Sequence, residues 1–129
     1  MKRIGSLFYV KVGFYTLNTQ EYGECWIGLD TGAGTTTLAN DLLYNMGYNV
    51  SDYPLTSITS ATRREYVHTL YLEKILLGDF ELNNIKVNAL DFENPFITGV
   101  LGLNIFTKFD VNFLFSQNMI EFTPIKAIY

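Results

Sequence analysis

The chain has 129 residues, 48% of them hydrophobic and 17% charged, which suffices for one hydrophobic core and excludes a disordered protein. A net charge of −4, a pI of about 4.8 and no basic cluster beyond Arg63-Arg64 exclude a nucleic-acid binder, because phosphate recognition needs a concentrated basic face. One cysteine, Cys25, and one histidine, His68, exclude an intramolecular disulfide and a four-ligand structural zinc site.

The first ten residues combine a basic start with a short apolar run. Lys11 interrupts that run and no small-residue cleavage site follows, so no signal peptide is expected. No apolar stretch reaches the length of a membrane span. The reading is a single cytoplasmic domain over 1–129, with no metal, no cofactor and no membrane or nucleic-acid partner.

Residues 7–17 are rich in β-formers and read as one or two strands, with a break at Gly13. A polar turn over 18–21 leads to a strand over 22–29, whose Cys25, Ile27 and Leu29 share a face. The two segments form a hairpin, and Cys25 reads as a small buried hydrophobe rather than a reactive thiol. The sequence Asp30-Thr31-Gly32-Ala33-Gly34 breaks the pattern with two closely spaced glycines. A helix is expected over 38–46, capped by Thr37 and closed by Gly47, with Leu38, Leu42, Leu43 and Met46 on one face.

Strands are expected over 57–61, 67–77 and 80–90, with turns at 62–64 and at Gly78-Asp79. His68 reads as an exposed or satisfied strand residue rather than a base. A short helix over 103–108 and a last hairpin, 111–115 with 119–122, complete a mainly β pattern that suggests a small closed β-barrel. The apolar runs 7–10 and 120–129 are candidates for pairing between chains, since exposed edges of that kind need covering.

The chemistry concentrates at Asp30. An aspartate that follows an apolar strand and precedes a glycine turn is held rigidly off the sheet edge, and Gly32 leaves room for another backbone to approach. In this context the chain resembles the retropepsin-like aspartic proteases. The resemblance rests on Trp26-Ile27-Gly28-Leu29-Asp30-Thr31-Gly32-Ala33 and on a second signature, Gly99-Val100-Leu101-Gly102-Leu103-Asn104-Ile105-Phe106, about 70 residues later.

The resemblance implies a closed β-barrel with one short helix after the active-site loop and a short helical turn near the C-terminus. It implies an aspartic endopeptidase acting as a homodimer on peptide or protein substrates. Asp30 of each chain would form the dyad, with Thr31, Gly32 and Ala33 supporting the loop and the Thr31 hydroxyl reaching across the dimer axis. Val100, Leu101 and Gly102 would pack beneath that loop. The segment 58–68, with Ile58, Thr59, Ser60, Ala61 and Thr62, would be the substrate flap, tipped by Thr62-Arg63-Arg64-Glu65. The sequence departs from the family at Gly34, where many members carry a polar side chain, and in a flap without glycine. A retropepsin-fold module that binds peptides without efficient cleavage is the alternative, and an unrelated β-barrel interaction domain is a third.

Overall fold

The computed structural model describes residues 1–4, 7–59, 62–94 and 96–125. Its strands are β1 (Lys2–Ile4), β2 (Leu7–Thr16), β3 (Glu21–Leu29), β4 (Thr36–Ala39), β5 (Leu55–Thr59), β6 (Arg64–Leu77), β7 (Phe80–Leu90), β8 (Gly99–Leu101), β9 (Phe109–Leu114) and β10 (Met119–Pro124). Two short α-helices, α1 (Asn40–Asn45) and α2 (Leu103–Phe106), and 3-10 turns over Val50–Asp52 and Phe115–Gln117 complete the described residues. No helix among the described residues is long and apolar enough to cross a membrane.

Eight strands bond in the order β1-β2-β3-β8-β4-β7-β6-β5, and β2 also pairs with β6 through Val12↔Leu77, Gly13↔Leu76 and Phe14↔Ile75. The sheet therefore closes into a ring, as the mainly β reading requires, while β9 and β10 form a separate hairpin. Val12, Ile27, Leu38, Leu43, Val87, Leu101 and Ile105 are fully buried inside the ring. Phe109, Phe122 and Phe106 join the hairpin to this core through ring contacts. Burying each such side chain contributes roughly 1.5–3 kcal/mol, and this packing holds the short elements together.

The long β6–β7 pair changes face midway. Leu70 and Leu72 are buried on one phase of β6, then Ile75 and Leu77 on the other. In β7 the buried Ile85, Val87 and Ala89 likewise follow the half-buried Phe80 and Leu82. The ladder pairs Leu72 with Ile85 and Lys74 with Asn83, so the switch falls at Glu73 and Asn84. Asn84 there adopts a left-handed φ of 56°, which asparagine tolerates better than most residues. The Glu73 N–H leaves the ladder and donates to the Tyr48 hydroxyl at 2.8 Å.

Three expectations need correction. The helix does not begin at Leu38: Thr37 and Leu38 belong to β4, and α1 starts at Asn40 with no side-chain cap. Parallel pairing with β7, Thr37↔Asn88 and Leu38↔Ala89, claims these residues for the sheet. Gly47 does close the helix, at φ 96°, its N–H donating to the Tyr44 carbonyl. The run 7–10 is already covered within the chain, by β1 on one side (Lys2↔Tyr9) and β3 on the other (Val10↔Ile27). Finally, Arg64 and Glu65 are not at a hairpin tip but in β6, paired with Thr59 and Ile58.

Candidate active site

Ile27 and Leu29 sink into the core and fix the end of β3, so the chain emerges at Asp30 in a set direction. The short strand β8 lies between β3 and β4. It runs parallel to β3 (Gly28↔Val100, Leu29↔Leu101) and antiparallel to β4 (Thr37↔Val100, Leu38↔Gly99). The Asp30 N–H extends this ladder by donating to the Leu101 carbonyl at 3.0 Å.

The turn then closes on itself. Asp30 Oδ1 accepts the Gly32 N–H at 2.9 Å, and the Asp30 carbonyl accepts the Ala33 N–H at 3.1 Å. Asp30 is partly exposed, whereas Thr31 and Gly32 are exposed at the surface. One carboxylate oxygen is thus tied to the loop backbone, which orients the group.

The outgoing side of the loop is bolted to the second signature. The Leu103 and Asn104 N–H groups donate to the Ala33 and Gly34 carbonyls at 2.8 and 3.1 Å. The buried Thr36 hydroxyl accepts the Gly102 N–H at 3.0 Å and donates to Asn104 Oδ1 at 2.9 Å. Asn104 Oδ1 also accepts the Thr36 N–H at 2.8 Å, and its Nδ2 donates to the Lys86 carbonyl at 2.8 Å. Gly102 is obligatory here. A Cβ on it would stand 2.7 Å from the Thr35 carbonyl carbon and 2.8 Å from the Thr36 nitrogen, both backbone atoms that cannot step aside. Gly34, by contrast, faces open space, and its carbonyl is held by Asn104.

Asp30, Thr31, Gly32, Ala33, Val100, Leu101 and Gly102, singled out from sequence, thus come together in one place. Thr36 was missed, and Asn104 was read as part of the second signature without a role, although an asparagine inside the apolar run 103–106 is a visible signal of a buried polar task. In the segment 58–68, Ile58 is half-buried and Thr59 and Thr62 are exposed; Ser60 and Ala61 lie outside the described residues. Arg64 Nη2 donates to Ser57 Oγ at 3.4 Å, and Arg63 faces Glu65 at 3.2 Å. His68 Nδ1 sits 2.7 Å from the Tyr53 carbonyl, a satisfied strand residue. Burial pushes the Cys25 thiol up from its ordinary range, consistent with a packing role.

Two cavities lie away from the loop. One of about 340 Å³ is bordered by Cys25, Asn40, Leu42 and Asp91, and one of about 300 Å³ by Val10, Trp26, Leu77 and Ile120. Asp30 lines neither, and in the single chain it is partly exposed.

Residues 16–105 match the family model described as aspartyl protease. Among solved structures, the chain is similar to a retropepsin-like aspartic protease from Rickettsia conorii. The TM-score is 0.66 at 17% identity, over 88% of this chain and 80% of that one. It is also similar to the retroviral protease-like domain of Ddi1 from Leishmania major, with a TM-score of 0.58 at 10% identity over 95% and 97% of the two chains. No curated protein matched the sequence. With the family model spanning well over half its length and the wedge of β8 between β3 and β4 supporting the Asp-Thr-Gly loop, the chain belongs to the aspartyl protease family and has the retropepsin-like fold.

Proposed function

We propose that the protein is an aspartic endopeptidase that acts as a homodimer, with Asp30 of each chain forming the catalytic dyad. The observation that carries this reading is the Asp30 carboxylate itself: oriented by the Gly32 N–H, anchored through Leu101, and partly exposed. The sequence contains Asp-Thr-Gly once, so a second copy of the chain must bring the second carboxylate. It would also wall that exposed side into a cleft. In such a dimer the Thr31 hydroxyl, exposed beside Asp30, would bond the partner's loop.

Two carboxylates a few ångströms apart cannot both ionise, so the pair holds one proton. The ionised member takes a proton from water as the water oxygen bonds to the scissile carbonyl carbon. The protonated member hydrogen-bonds the developing oxyanion. Collapse breaks the C–N bond, and the amine leaves with a proton from the dyad. The hairpin of β5 and β6, carrying Ile58, Thr59 and Thr62, serves as the flap over an extended substrate, to which it offers backbone hydrogen bonds.

Asp30→Asn tests the assignment. It should stay folded and dimeric and lose cleavage of a peptide pool, and specific activity of the wild type should fall on dilution below the dimer dissociation constant. Undiminished cleavage by Asp30→Asn, or an active monomer in sedimentation, would refute it. A wild-type dimer that binds peptides and cleaves none would assign the alternative, a peptide-binding module of the same fold.

A further inference from the structure

Cross-strand partners share a face of a sheet, and the registers around β8 therefore define a row. Gly28 of β3 is opposite Val100 of β8, Val100 opposite Thr37 of β4, Thr37 opposite Asn88 of β7, and Asn88 opposite Thr69 of β6. Leu29 points into the core, so strand alternation puts Asp30 on the same face as Gly28 and hence as the whole row. At about 4.8 Å per strand, Asn88 lies at most about 15 Å from Gly28 along the curved sheet. An extended peptide spans that distance in about four residues.

The far end of this row is polar where burial would favour aliphatic side chains. Asn88 is 8% exposed and Thr69 7%. The Thr69 hydroxyl donates to Asn88 Oδ1 at 2.9 Å, and among the described residues the Asn88 Nδ2 has no hydrogen-bond partner. Rotating the amide by 180° would only exchange the free donor for a free acceptor. Among those residues the one side-chain polar atom that is sealed from solvent without a partner is Asn40 Oδ1. The Asn88 amide nitrogen must therefore open onto solvent, on the face that Asp30 shares. Water can serve that nitrogen in the free protein, and a bound side chain that displaces the water must supply an acceptor of its own or leave the nitrogen unpaired.

We propose that Asn88, with Thr69, forms a polar subsite that selects a carboxamide or hydroxyl side chain on the bound peptide, within about four residues of the bond positioned at Asp30. The inference rests on the peptidase reading for the location of the peptide, though the subsite is a binding property. A site built to hydrogen-bond a substrate group rejects the aliphatic isostere because its own polar atoms are then left unpaired.

The test uses one randomised peptide pool in two ways: cleavage by the wild type, and affinity capture on Asp30→Asn, each read by mass spectrometry. Asn, Gln, Ser or Thr should be enriched at one position by about tenfold over Leu and Val. Asn88→Leu, which is nearly isosteric, should reverse that preference at the same position, while Thr69→Ser, which keeps the hydroxyl, should retain it. Cleavage or capture without polar enrichment, or a profile that Asn88→Leu leaves unmoved in a folded protein, overturns the subsite and leaves the peptidase reading standing. Capture with polar enrichment but no cleavage upholds the subsite and removes the peptidase reading. Neither cleavage nor capture defeats both.

Discussion

The Tyr48 hydroxyl accepts the Glu73 N–H at the point where β6 and β7 exchange their inner and outer faces. Tyr48 is itself buried, against Tyr53, in the chain that follows α1. A helix-proximal side chain therefore caps a backbone group that the sheet abandons. Tyr48→Phe keeps the packing and strands that N–H. It should cost about 1–3 kcal/mol, read as a lower midpoint in denaturant with an unchanged slope.

The left-handed turn at Asn84 belongs to the same corner. Asn84→Gly should be neutral or slightly stabilising, because glycine adopts that conformation freely. Asn84→Val should cost about 1–2 kcal/mol, because a β-branched side chain clashes with its own carbonyl there. Equal stability of the two variants would contradict the role given to this residue.

Gly102 and Gly34 make an opposed pair. Gly102→Ala drives a methyl into the backbone of Thr35 and Thr36 and should cost about 1–3 kcal/mol or more, with loss of any peptidase activity. Gly34→Ala meets nothing within 4 Å and should leave stability within about 0.5 kcal/mol of the wild type. Thermal melts of the two variants side by side decide the matter.

Asn104→Ala removes the acceptor of the Thr36 N–H and hydroxyl and the donor to Lys86. It leaves buried groups unpaired at the back of the Asp30 loop and should cost about 2–4 kcal/mol. At temperatures where the variant remains folded, hydrogen exchange at the Thr36 and Gly102 amides should rise more than exchange in β6 or β7.

A half-buried thiol and a buried phenol set an alkaline limit. Burial holds the Cys25 thiol and the Tyr48 phenol in their neutral forms beyond their ordinary values of 9.0 and 10.0. The folded state therefore keeps these protons after the unfolded chain has released them. Their contribution is fully present below about pH 9 and is lost as pH rises through the folded-state values. Stability measured from pH 8 to 11 should fall across the upper part of that range. Cys25→Val should remove the earlier part of the fall, and the wild-type thiol should react with a disulfide reagent far more slowly folded than unfolded.

Much of the site was legible because its parts are contiguous. Asp30-Thr31-Gly32 and Val100-Leu101-Gly102 are short runs whose glycines and apolar flanks announce themselves, the β2–β3 hairpin follows from two runs of β-formers around a polar turn, and the β9–β10 hairpin follows plain alternation. Even the corner at Glu73 leaves a trace, since Leu70 and Leu72 are out of phase with Ile75 and Leu77. What failed depended on partners far along the chain. Leu38, Leu42, Leu43 and Met46 fit a helical stripe, and only pairing with β7, about 50 residues away, makes Leu38 a strand residue. The Thr36–Asn104 bonds bridge a separation of 68 residues, which no local pattern encodes. That Asn88 shares a face with Asp30 emerges only from combining three strand registers.

The wedge formed by Gly99–Leu101 also gives the molecule a timetable. β3 and β4 are complete by Ala39, yet the strand that separates and joins them begins only at Gly99. Contacts this distant close slowly, and a nascent chain acquires them only after Gly99–Leu101 has been synthesised. Until then Leu101 cannot receive the Asp30 N–H, and Asn104 cannot hold Thr36. Until those residues are made, the Asp30 loop has only its local bonds from Gly32 and Ala33, and any reactivity that needs the support of β8 and Asn104 is withheld.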